Sequence, residues 1–204
     1  AGMVGPERVI WRYDPIVLSE RTPPAFHLQA HARIAEALRG CTRRNVISIV
    51  DIYRKAQKRL GQLRAQGIAV AEIKPDAMTP AVGDLLRQLA GTAHANSMEI
   101  TSCAEESDLQ PYGIEPGKCV DDDYIARTFG LRLPAKKDPS QRAACGCVAS
   151  KDIGMYDSCL FGCQYCYATS SFETARRNHA EHDPQSPSLV GWYEAYTHGA
   201  VAPA

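Results

Sequence analysis

Asn45–Asp51 reads N-V-I-S-I-V-D, a short apolar run that ends on a carboxylate. A run of this length, apolar at consecutive positions and rich in β-branched residues, suits a strand covered on both faces, as in a parallel sheet flanked by helices. Its neighbours agree. Upstream, Arg8–Val17 (R-V-I-W-R-Y-D-P-I-V) is β-branched and aromatic, and Pro15 marks it as an edge strand or a strand terminus. Between the two, Pro23-Pro24 opens a helix with Phe26, Ala30, Ile34, Ala37 and Leu38 at helical spacing and Gly40 as its stop. Downstream, helices are expected over about 52–66, ending at Gly67, and over about 80–96, followed by a strand at Met98–Ser102. Strand, helix, strand, helix, helix, strand is the order of an α/β fold with a parallel sheet.

Each expected strand runs from apolar residues into polar ones: Arg12 and Asp14, then Asp51, then Cys103 and Glu105. In parallel α/β folds the carboxyl ends of the strands carry the chemistry, which makes Arg12, Asp14 and Asp51 the catalytic candidates. Arg12 and Asp14 are two apart and face the same side of a strand, so they can pair with each other or receive a carboxylate or phosphate. Beyond about residue 106, Pro, Gly and Asp become frequent and the apolar period weakens. The expected organisation is a partial α/β barrel over 1–106, a cysteine-rich, loop-rich region over 107–191 with a short helix at 121–129, and a tail over 192–204.

A chain of 204 residues with eight cysteines is long enough to fold on its core, so those cysteines do not replace one. No secretory signal and no bilayer-length apolar run is visible, which leads to the expectation of a cytoplasmic protein whose clustered thiols bind metal. With 23 basic and 23 acidic side chains the formal charge is zero, which gives no reason to propose nucleic acid as a partner. The stretch Tyr53–Ala71 is locally basic, with Arg54, Lys55, Lys58, Arg59 and Arg64 and no acid, and reads as a solvated helix face.

Cys159–Cys166 reads C-L-F-G-C-Q-Y-C, a C-x3-C-x2-C spacing that lets one loop wrap a corner of a cubane [4Fe-4S] cluster. Three thiolates on four irons leave one iron open to a substrate or cofactor. The spacing, with Tyr165 just before the last cysteine, resembles the signature of radical SAM enzymes. The resemblance implies that the open iron holds S-adenosylmethionine, that an external reductant such as flavodoxin or ferredoxin serves the cluster, and that Tyr165 lies on the cofactor side. In that superfamily, cleavage of the cofactor yields a radical that abstracts hydrogen from substrate, while the protein orients and shields it.

The wider segment Cys145–Ala168, with D-I-G-M-Y-D-S-C-L-F-G-C-Q-Y-C-Y-A at its end, resembles an uncharacterised bacterial and archaeal family, a domain of unknown function. Trp11–Ile16 (W-R-Y-D-P-I), Gly117–Asp121 (G-K-C-V-D) and His182–Pro187 (H-D-P-Q-S-P) look like further landmarks of that family. The Y-C-Y-A ending (Tyr165–Ala168) is also similar to the cluster loop of spore photoproduct lyase. Two departures stand out. Radical SAM enzymes carry this loop after the first barrel strand, whereas here it lies late in the sequence. Family members also begin with a barrel segment missing here, which implies a truncated form or part of a longer polypeptide.

Four further cysteines precede the loop: Cys103, Cys119, Cys145 and Cys147. With the loop's three they divide into one open cluster and one closed site, either a second iron–sulfur cluster or a structural zinc. A partition that lends one of the four to the loop's cluster stays open. Cys41 is left over and reads as a small buried residue. His27 and His31, four apart on a helix, lack the Glu of H-E-x-x-H and read as an exposed pair. His179 and His182 follow the cluster loop without an assigned role, and Gly113–Gly117 reads as a turn before Cys119. The functional expectation is a radical SAM-like iron–sulfur enzyme of unknown substrate. Its rivals are a non-enzymatic iron–sulfur protein for electron transfer or structure, and a zinc-binding interaction module.

Overall fold

A computed structural model of the chain describes residues 1–74 and 78–192, apart from the side chain of Lys55. Of the expected tail over 192–204, residues 193–204 lie outside the described residues. The elements are β1 (Ile10–Ile16), α1 (Pro24–Ala37), β2 (Arg44–Ile49), α2 (Arg54–Ala65), α3 (Pro80–Ala95), β3 (Glu99–Cys103), β4 (Glu115–Gly117), α4 (Asp122–Phe129) and α5 (Phe172–Ala180). Every strand pairing is parallel, and the spatial order β1-β2-β3-β4 follows the chain. The result is a mixed α/β fold with a four-stranded sheet, not a closed barrel. No helix among the described residues is long and apolar enough to cross a membrane.

β2 lies inside the sheet, and its residues are buried except for half-buried Ser48, as its continuous apolar run requires. β1 is an edge strand, where the Pro15 ring costs no ladder bond to a second neighbour. The core gathers Ile16, Ile47 and Ile100 from the strands with Leu85, Leu86, Leu89 and Ala93 from α3. α3 starts at Thr79, whose side chain accepts the N–H of Val82 and satisfies an otherwise unpaired donor.

The contact face of α1 is not the one its apolar spacing indicated. Phe26 and Ile34 are exposed, while His27, His31 and Ala35 are buried. Partners explain the reversal, since a buried imidazole costs little once it is hydrogen-bonded. His27 Nε2 donates to the carbonyl of Val17 at 3.0 Å, and its Nδ1 accepts from Tyr13 Oη at 2.9 Å. His31 Nε2 donates to Asn45 Oδ1 at 2.9 Å, and its ring packs 4.7 Å from that of Trp11. The expectation of an exposed pair is therefore corrected, and Cys41, expected to be buried, is exposed in the turn after α1.

The segment Gly113–Gly117, read as a turn, includes the short strand β4, whose Gly117 pairs with Cys103 of β3. A Cβ on Gly117 would stand 2.6 Å from Thr101 Oγ1 and 2.7 Å from the carbonyl of Ser102, so only glycine permits the pairing. α4 follows as expected, capped by Asp121, whose Oδ1 accepts the N–H of Tyr124 at 3.0 Å. α5 was not anticipated. Ser171 caps it by accepting the N–H of Thr174, a signal present in S-F-E-T but outweighed by the polar, loop-like composition around it.

Two compact units form: Ala1–Ile52 with Gln62–Lys151, and Tyr53–Gly61 with Asp152–Ala204. The sheet and the four upstream cysteines belong to the first unit, and the C-x3-C-x2-C loop belongs to the second.

Candidate metal centres

In the first unit the strand register brings distant cysteines together. Cys103 ends β3 opposite Gly117, and Cys119 follows two residues later, so that the two sulfurs lie 2.7 Å apart. Cys145 and Cys147 arrive on a separate loop. The N–H of Val148 donates to the carbonyl of Val120 at 3.2 Å, and that of Asp138 to the carbonyl of Cys147 at 3.0 Å. Gly146 passes Lys118 so closely that a Cβ would sit 3.2 Å from its Cγ. Cys147 Sγ accepts the backbone N–H groups of Cys119 at 3.1 Å and Val120 at 3.3 Å, which fix the position of the sulfur.

Arg12 joins this group. Its Nη1 donates to Cys119 Sγ at 3.0 Å, and its Nε donates to Asp14 Oδ2 at 3.0 Å. Asp14 also accepts the hydroxyl of Ser48 on β2. The expectation that Arg12 and Asp14 face the same side and pair therefore holds, and their position is beside the cysteines. Hydrogen bonding with Cys119, together with Arg12 and against the effect of burial, brings the Cys103 thiol down to about 6. Cys119 moves upward, because its bond to Cys103 and its burial disfavour a second negative charge. Burial raises Cys145 as well.

Asp51 is placed differently: it forms an exposed ion pair with Arg142, three residues before Cys145. Sequence reasoning assigned no role to Glu105, which is half-buried and accepts the N–H of Ile49 at 2.7 Å. Burial pushes its carboxyl up to about 7. Three carboxylates at the start of α4, Asp121, Asp122 and Asp123, lie close together. Arg44 and Lys118 occupy the first two, and Asp121 is the helix cap, so the cluster has a structural explanation.

In the second unit the loop is held from two sides. Arg59, on the part of α2 that belongs here, donates Nε to the carbonyl of Gln164 at 3.1 Å, Nη1 to that of Thr169 at 2.9 Å, and Nη2 to that of Cys166. This corrects the solvated-face reading. Arg54, Lys58 and Arg64 are exposed, but Arg59 is half-buried and committed to the loop. Asp157 fastens the other side: Oδ1 accepts the N–H groups of Ser170 at 2.6 Å and Ser171 at 3.1 Å, and Oδ2 accepts the Ser170 hydroxyl at 2.6 Å. Its N–H donates to the carbonyl of Ala168 at 3.0 Å. Gly162, at φ +69°, makes the turn between Cys159 and Cys163.

Cys159 and Cys163 are exposed and Cys166 is half-buried, as is Tyr165. Against the effect of burial, hydrogen bonds with Thr169 and with the backbone of Ala168, and the charge of Arg59, hold the Cys166 thiol below its ordinary value. His182, downstream of the loop, is tied by Nδ1 to the carbonyl of Leu189 at 2.9 Å and is a structural contact.

Cysteine thiolates are soft donors of the kind that hold zinc or iron–sulfur clusters. Among the described residues, no three cysteine sulfurs lie within 4.8 Å of one another. A single tetrahedral zinc, with bonds of about 2.3 Å, would draw its sulfurs to about 3.8 Å apart.

The family model described as Domain of unknown function (DUF1848) matches residues 1–168. The chain belongs to that family. The match takes in every cysteine and ends on Ala168, the last residue of the Y-C-Y-A sequence. No curated protein and no solved structure matches the chain.

Proposed function

We propose that this member of the family is a radical SAM-type iron–sulfur enzyme of the cytoplasm. Cys159, Cys163 and Cys166 are the ligands of a [4Fe-4S] cluster whose remaining iron is left for S-adenosylmethionine. The observation that carries the reading is the C-x3-C-x2-C loop, whose backbone is ordered by Arg59 and Asp157. A loop ordered in this way loses little further conformational entropy when it takes up its ligand. When bound, the group supplies one-electron cleavage of its cofactor, with electrons from a flavodoxin- or ferredoxin-like donor. Tyr165 borders the ligands and serves the cofactor side.

Cys103, Cys119, Cys145 and Cys147 form the auxiliary site, where Arg12 offsets thiolate charge and the N–H groups of Cys119 and Val120 orient Cys147. The parallel sheet, with its strands in chain order and no reversal, is read as part of a (β/α) barrel. Arg12 and Asp14 on β1 and Asp51 after β2 are the residues proposed to face substrate.

Anaerobic reconstitution with iron and sulfide, with EPR of the reduced protein recorded with and without S-adenosylmethionine, tests this reading. A signal that shifts on adding the cofactor is expected. A signal that ignores it supports electron transfer or a structural cluster instead, and a colourless protein that takes up only zinc supports an interaction module.

A further inference from the structure

At the opposite end of the strands from Cys103, the residues around the starts of β1, β2 and β3 enclose with α4 a cleft of about 620 Å³. Three guanidinium groups line it: Arg8, Arg43 and Arg127. Two acids are also present, but Glu99 is taken by Arg44 at 2.5 Å, which leaves Glu7 against three positive charges. Among the described residues, neither Arg43 nor Arg127 has a carboxylate at ion-pair distance. Arg127 stands 5.5 Å from the ring of Tyr124, and Arg8 stands 5.4 Å from that of Phe129. Stacked in this way, the Arg127 guanidinium is steadied through its face while its N–H edge stays able to meet an oxyanion, whereas Arg8 also donates Nη1 to the carbonyl of Val4 at 2.8 Å.

A second cavity, of about 180 Å³, shares Glu7, Arg8 and Tyr124 with the first. Ile10, Val120, Ile125 and Phe129 line it, and Cys119 forms part of its wall. Ile10 and Phe129 are 39% and 48% exposed, so apolar surface faces this concavity rather than the core. Cationic groups beside an uncovered apolar wall make a two-part recognition surface.

We propose that the two cavities form one binding site for a small organic anion with an apolar body. Its carboxylate or phosphate is received by Arg43 and Arg127, with Arg8 alongside. Its apolar part lies on Ile10, Ile125 and Phe129 and reaches towards Cys119. The site does not depend on a metal at the cysteines.

Isothermal titration of the full chain with octyl phosphate, octanoate, inorganic phosphate and octanol tests it. One octyl anion is expected to bind per chain, more tightly than either inorganic phosphate or octanol, and the better of the two headgroups identifies the ligand's charged end. Arg43→Gln with Arg127→Gln should weaken that binding by about tenfold or more, as the loss of hydrogen bonds to a charged group predicts. Phe129→Ser should weaken octyl phosphate and leave inorganic phosphate unchanged. Both arginines are exposed, so the folded far-UV spectrum should persist, and if the double variant fails to fold then Arg43→Gln alone carries the test. The proposal is overturned if the parent binds none of these probes, if octanol binds as tightly as octyl phosphate, or if the arginine variants bind like the parent.

Discussion

Arg59 donates from Nη2 to the carbonyl oxygen of Cys166, a residue 107 positions further along the chain. With its bonds to Gln164 and Thr169, one side chain thus spans the backbone of the candidate cluster loop. The guanidinium fork can reach three carbonyls at once, which an ammonium at the end of a flexible stem does not reproduce.

Arg59→Leu should therefore disorder the loop at a cost of about 1–3 kcal/mol per lost charged hydrogen bond, less where water replaces it. The expected outcome is iron loss from the loop alone, with the four-cysteine site still loaded, read as iron per chain and by EPR. Arg59→Lys should recover only part of it. Full loading in the leucine variant would remove Arg59 from the account.

Cys163→Ala should abolish the loop cluster, and full iron loading in that variant would sink the ligand assignment. Cys145→Ala should lower total metal while leaving the loop's signal intact, because the two groups of cysteines belong to separate compact units. Complete metal loss in Cys145→Ala would point to one shared site.

Gly117→Ala should be destabilising by about 1–3 kcal/mol, the usual cost of overpacking, since its Cβ would meet Thr101 and Ser102. Urea unfolding measures that cost. The same variant should lose metal at the four-cysteine site, because pairing at Gly117 is what brings Cys119 to Cys103.

His31 is buried and neutral, and burial lowers its affinity for a proton below the ordinary value of 6.5. The unfolded chain then binds more protons than the folded one as pH falls below about 6.5, so this histidine's share of stability is present above that pH and is lost below it. His27 shifts in the same direction for the same reason. Urea unfolding between pH 8 and pH 5 should show the decline, by up to about 1.4 kcal/mol per pH unit for each such histidine. His31→Leu should flatten it, and an equally steep decline in that variant would contradict the burial argument.

Much of the architecture was legible because it depends on local order. The apolar run at Asn45–Asp51 belongs in an interior parallel strand, and Pro15 belongs at a sheet edge. The C-x3-C-x2-C loop was legible for the same reason, since its ligands lie within one turn of chain. The face of α1 was not. Apolar spacing favoured Phe26 and Ile34, but the partners that make His27 and His31 cheap to bury come from Tyr13, Val17 and Asn45, outside the helix.

The amino-acid sequence by itself thus determined an α/β chain with a three-cysteine loop and four further cysteines besides the leftover Cys41. Only the tertiary structure decided that Cys103, Cys119, Cys145 and Cys147 gather with Arg12, and that Arg59 leaves solvent to order the loop. The reason is one of range. Propensity, caps and short motifs act over a few residues, whereas the pairing of β3 with β4 and the reach of Arg59 connect positions far apart in sequence. Such contacts exist only once the intervening chain has folded.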